Sequence, residues 1–99
     1  MTFKDETDCY QAIGAALAAA APTGWREIKA EIALDGARVD AVVSCKMPSG
    51  QLEHLTGVPR LASYFYDLAR LVSTEEKGFF KICDFRLLPD GKYESEFSY

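Results

Sequence analysis

The sequence predicts an α+β fold. It reads as a single domain over residues 1–99 with the order α-β-β-β-α-β-β, an antiparallel sheet and its helices packed on one face. Three observations lead there. Ninety-nine residues are enough for one hydrophobic core and leave nothing for a second. Hydrophobic residues at 48% and charged residues at 26% form the ordinary globular mix, not the polar composition of a disordered chain. The hydrophobic period switches between helical and alternating along the chain. Helices and strands do not alternate one for one, which favours an antiparallel sheet over a parallel βαβ array.

The first element is a helix. Thr7 or Asp5 can cap it, and Asp5, Glu6 and Asp8 suit the positive end of its dipole. Tyr10, Ile13, Leu17 and Ala20 or Ala21 recur at helical spacing. Most other positions are alanine, the best helix former and one that lets another element approach closely. Pro22, Thr23 and Gly24 end it. Over residues 26–34 the period changes to two. Ile28, Ala30, Ile32 and Leu34 alternate with Glu27, Lys29, Glu31 and Ala33, giving a strand with one wet face, and Trp25 opens it.

Asp35-Gly36 signals a two-residue hairpin. In the second strand Val39, Ala41, Val43 and Cys45 share one face, and Arg38, Asp40, Val42 and Ser44 the other. A turn at Pro48-Ser49-Gly50 leads to a short third strand over residues 51–55, completing a meander. Gly57 breaks the pattern and Pro59 suits the first turn of a second helix. Leu61, Tyr64, Phe65, Leu68 and Val72 form its apolar stripe, and Gly78 is its expected stop. Residues 79–88 are dense in β-formers and apolar on both faces in places, so they are expected as a central strand. Pro89-Asp90-Gly91 turns the chain into a last amphipathic strand whose polar face, with Glu94 and Glu96, suits an edge.

Charge and composition narrow the function. Fifteen acids against eleven bases give a net charge of −4. This argues against direct nucleic-acid binding, which needs a basic stripe. The longest apolar run, residues 15–21, is far short of the roughly 20 residues of a membrane helix. The acids ahead of it do not fit the positive leading region of a signal peptide, so a cytoplasmic protein is expected. Cys9, Cys45 and Cys83 are odd in number and widely spaced. They read as small apolar core residues in a reducing compartment.

No catalytic motif is present. His54 is the only histidine; it lies on the short third strand, and no GxSxG surrounds any serine. There is no CxxC pair for zinc, and neither a GxGxxG nor a GxxxxGK[ST] loop for phosphate. No cofactor, no metal and no enzymatic activity are therefore expected. The carboxylates read instead as surface. Glu27 and Glu31 share one strand face, as do Glu94 and Glu96, and acidic outer faces suit a basic partner. Asp35, Asp40 and Glu53 add negative charge near the meander. Tyr66, on the second helix beside Phe65, and the terminal Tyr99 are candidate contact residues, because tyrosine is enriched at interface hot spots.

The sequence resembles the YezG-type immunity family, whose members protect bacteria against polymorphic toxins. The similarity runs over most of the chain. It comprises an N-terminal helix, a Pro-x-x-Trp segment into the first strand (Pro22 and Trp25) and a hairpin meander. A leucine- and aromatic-rich helix over residues 61–72 follows, then a hairpin with a Leu-x-Pro-Asp-Gly-Lys-Tyr turn (Leu87 to Tyr93) ending in Phe97 and Tyr99. These are fold signatures, with no chemical motif among them. The resemblance implies a non-enzymatic antitoxin that binds a cognate toxin domain, commonly a basic nuclease, and blocks its active site or its access to substrate.

Two other classes compete with that reading. The element order also looks like that of the small acidic chaperones and adaptors of type III secretion, which hold an extended effector segment. Those carry a further C-terminal helix, whereas this sequence ends on its last strand. A small ligand-binding domain or enzyme could use space between the alanine-rich helix and the sheet, but alanine there fits close packing better.

Overall fold

A computed structural model describes residues 3–99 and has the predicted architecture. The elements are α1 (Glu6–Ala20), β1 (Glu27–Asp35), β2 (Arg38–Lys46), β3 (Leu52–Leu55), α2 (Leu61–Val72), β4 (Ile82–Leu87) and β5 (Tyr93–Ser98). The five strands form one sheet in the order β3-β2-β1-β4-β5, with every neighbouring pair antiparallel. β1 is the central strand. α2 carries the chain from the β3 edge back across the sheet, so that β4 pairs with β1.

Asp5 is the cap of α1: its Oδ1 accepts from Asp8 N at 3.0 Å. Cys9, Tyr10, Ile13 and Leu17 bury one face of that helix. α2 buries Leu61, Phe65, Leu68 and Ala69. Both helices cover the same face of the sheet. Tyr10 stacks over Phe85 at 6.0 Å between ring centroids, and Phe65 meets the same Phe85 edge-on at 5.9 Å. The strand residues beneath them are Ile28, Ala30, Ile32, Val43, Cys45, Cys83, Phe85 and Leu87, all buried. The alternation read for β1 thus sets the core, because residues two apart on a strand share a face.

The three cysteines are buried and free. Burial pushes the thiols of Cys9 and Cys83 up to about 12, and that of Cys45 upward as well. They are packing residues without thiolate character.

Four local expectations are corrected. The loop of the first hairpin is Gly36-Ala37, one residue later than Asp35-Gly36, because Asp35 still pairs with Arg38 and Gly36 supplies the positive φ of 61°. Pro59 precedes α2 and does not form its first turn; the cap position is Arg60, at φ 63°. α2 stops at Val72, before Gly78, which instead closes a turn by donating to Thr74 O at 2.7 Å. The β-rich block begins its strand only at Ile82; within β4, Cys83, Phe85 and Leu87 are buried on the helix side, while Ile82 shares the other face with Asp84 and Arg86. Among the described residues, no helix is long and apolar enough to cross a membrane.

Candidate functional site: the open face of the sheet

One face of the sheet has no helix over it. The strand residues that point there alternate with the core residues: Glu27, Lys29 and Glu31 on β1, Val42 and Ser44 on β2, Asp84 and Arg86 on β4, Glu94 and Glu96 on β5. A hollow of about 760 Å³ runs from Val42 and Ser44 on one side to Glu94 and Glu96 on the other.

Register sorts these side chains into two adjacent rows. In the first, Ser44, Lys29, Arg86 and Glu94 stand opposite one another on β2, β1, β4 and β5. Its charges are neutralised together with Glu27, two residues before Lys29 on β1. Arg86 reaches Glu27 at 3.3 Å and Glu94 at 3.1 Å, and Lys29 reaches Glu27 at 3.6 Å. Two bases and two acids therefore form one network. Arg86 Nε is buried with no hydrogen-bond partner among the described residues.

In the second row, Val42, Glu31, Asp84 and Glu96 stand opposite one another on the same four strands. Here three carboxylates occupy three adjacent strands. Among the described residues none of the three has a cation within ion-pair distance. Like charges directly across a sheet repel, so this arrangement costs stability in the isolated chain. The three are nonetheless not gathered tightly enough to hold a metal ion: no such group of ligands occurs among the described residues. The row is a charged surface feature, not a chelating site.

The structure brings the two acidic strand faces read from the sequence onto one surface, because β4 lies between β1 and β5. Glu31 and Glu96 keep their charge free. Glu27 and Glu94 are tied up by Arg86. Asp35 lies beyond them at the hairpin end of the same face. Asp40 is there too, but ion-paired to Arg38 at 3.2 Å. Glu53 pairs in register with Cys45 and so belongs to the helix side, at the β3 edge. Tyr66 is also on the helix side, half-buried, with its ring edge-on to Phe79 at 5.7 Å. Tyr99 follows β5 and is 45% exposed, with Lys77 Nζ 5.1 Å from its ring centroid.

Neither a protein-family model nor a curated protein matches the sequence.

Asp84 and Arg86 are the residues that sequence reasoning missed. Their signal was present: Cys83, Phe85 and Leu87 alternate with Asp84 and Arg86. It was masked by Phe79 and Phe80, which sit just ahead of the strand and made the whole block read as apolar. His54 stands opposite Ser44 on the open face, well away from any thiol of the core, since all three cysteines point to the other side.

Proposed function

We propose that the chain is an immunity protein that binds a cognate toxin domain through the open face of its sheet and neutralises it without catalysis. The observation that carries this is the row Glu31, Asp84 and Glu96, three carboxylates on adjacent strands with no counter-ion among the described residues. A fold that only needed to be stable has no use for such a row. A basic partner turns it from a cost into a source of binding energy. Acids outnumber bases around the hollow, four (Glu31, Asp84, Glu94, Glu96) to two (Lys29, Arg86), and such a surplus steers an oppositely charged protein and raises its association rate. A nuclease must present basic groups to phosphate, and it is therefore the toxin class this face fits best.

The size of the face agrees. Four interstrand spacings of about 4.8 Å and strands rising about 3.3 Å per residue give a surface roughly 20 Å wide and 20–30 Å long. With its rim that approaches the ~800 Å² per partner of a standard interface. The resemblance to YezG-type immunity proteins supports the same role.

The test is to produce the chain in its native host, identify the protein that co-purifies with it, and express that protein's domain with and without the chain. The reading expects a folded domain bound one-to-one, toxic alone and harmless with the wild-type chain. The triple variant Glu31→Lys, Asp84→Lys, Glu96→Lys is expected to lose protection while remaining folded. Turnover of a small molecule by the purified chain alone, or full protection by the triple variant, would overturn it.

A further inference from the structure

We propose that the outer edge of β2, over residues 39–42, is a docking site for an extended segment of a protein partner, which adds to the sheet as a strand in line with β3. This rests on the reading that the chain works by binding another protein, but it concerns a different surface from the acidic row.

The starting point is a gap in the sheet. β3 covers only residues 43–46 of the nine-residue β2. Met47 N donates to Gln51 O at 2.9 Å, which fixes the phase of the β2–β3 ladder. In an antiparallel ladder alternate residues direct both backbone groups to the same side. Met47, Cys45 and Val43 thus face β3, and Ala41 and Val39 face the same way past its end, where no strand lies. Their amides and carbonyls have no backbone partner on that side among the described residues and are open to pairing by an added strand. Ala41 is exposed, and Val42 is 60% exposed.

The other edges are protected. β5 carries Glu94 and Glu96, and β3 is only four residues long. The β2 gap has no lysine or proline to deter pairing, and its one charged residue, Asp40, is ion-paired to Arg38. Beside it, on the helix side, a groove of about 450 Å³ is lined by Ala37, Val39, Ala62, Ser63, Tyr66 and Asp67. It is positioned to receive side chains of an added strand. This also gives half-buried Tyr66 a contact surface.

The gap dictates the chemistry of the occupant. An antiparallel strand bonded to both Val39 and Ala41 points the side chains opposite those two into the groove, where apolar residues fit. The residue between them stands opposite Asp40 on the open face; the ion pair of Asp40 with Arg38 is exposed on both sides and therefore weak, so a lysine or arginine there can share or displace it. The expected element is apolar–basic–apolar in extended form. A second copy of this chain fits worse. The register that bonds Val39 to Ala41 of a copy sets Asp40 against its own counterpart at a non-hydrogen-bonded pair, the closer kind of approach.

The test uses the peptide acetyl-Thr-Val-Lys-Val-Thr-amide, titrated into the isotope-labelled full chain while backbone amide signals are followed. The largest shifts are expected at residues 39–42 and at Tyr66. Replacing the peptide's lysine with glutamate is expected to weaken binding about tenfold. Ala41→Pro removes an outward amide at an edge position that tolerates proline, and it is expected to abolish the shifts. N-methylating both valines of the peptide is expected to do the same with the wild-type chain, so the result does not depend on how the variant folds. The titration needs no toxin domain, so its failure is told apart from failure of the reading above. Absence of shifts up to about 5 mM peptide, shifts centred on β5 or the open face, or undiminished binding of the N-methylated peptide would overturn the proposal. So would a dimer that Ala41→Pro dissociates, since the occupant would then be a second copy.

Discussion

Asp84 has an acid on each side of it. Glu31 on β1 and Glu96 on β5 stand directly opposite, and among the described residues no base reaches any of the three. Two positions along the strand, Arg86 has the reverse environment, with Glu27 and Glu94 both in ion-pair reach. The same strand thus holds one compensated and one uncompensated charge. Removing the uncompensated one should help the isolated fold. Asp84→Asn is expected to raise unfolding stability by about 0.2–1 kcal/mol in urea titration at low salt, with the gain shrinking as salt screens the repulsion. The same change should weaken partner binding. A variant that became less stable would show that Asp84 serves the fold. Arg60 is a second residue held against its preference. It adopts φ 63° with no side-chain hydrogen bond to the helix it precedes. A left-handed residue with a Cβ costs roughly 1–2 kcal/mol that glycine avoids, partly offset by glycine's greater freedom when unfolded. Arg60→Gly is expected to stabilise the chain by about 1 kcal/mol, read as a higher urea midpoint with unchanged slope.

At the level of elements, most of the fold was legible in the sequence, and the reasons are local. The alternation Ile28, Ala30, Ile32 specifies a strand and also names its buried face. The stripe Leu61, Phe65, Leu68 does the same for α2, and Asp5 with Glu6 and Asp8 marks the start of α1. Each signal is carried by neighbours in the chain. The errors came where a turn decides the boundary. Pro59 looked like a helix opener, but Arg60 in the left-handed region resets the chain direction after it. Gly78 looked like a helix stop, but Ser73 already leaves the helix in extended conformation. The candidate face was half legible. Its acids on β1 and β5 were read correctly as two wet strand faces. That they form one surface depends on β4 inserting between those strands, and strand order is set by how α2 packs, which no local pattern records. Glu53 faces the helix side because the β2–β3 register sets it opposite Cys45, and Tyr66 is there because α2 is.

The whole molecule has one core under two helices and one uncovered sheet face, and the two sides differ in their chemistry. The covered side holds protons tightly. Burial raises the thiols of Cys9 and Cys83 to about 12 from the ordinary 9.0, and raises the Tyr10 phenol although its hydrogen bond to Ser95 at 2.7 Å acts the other way. In the unfolded chain these groups lose their protons at lower pH, so the folded state binds more protons in between. Their stabilising contribution is complete below about pH 9 and falls as pH rises toward 12. A urea midpoint that is lower at pH 10.5 than at pH 8 is the expected reading, to within about half a pH unit of those settings. The uncovered side is where function is proposed, and its charge acts at a distance. Long-range attraction speeds encounter and is screened by salt, whereas short-range contacts set dissociation. The most direct measurement is the association rate of the chain with its co-purified toxin domain, followed by stopped flow across a salt series. The wild-type rate should fall steeply with salt, and the triple variant Glu31→Lys, Asp84→Lys, Glu96→Lys should associate at least about tenfold more slowly at low salt with little salt dependence left. Equal rates and equal salt slopes for the two proteins would contradict the account.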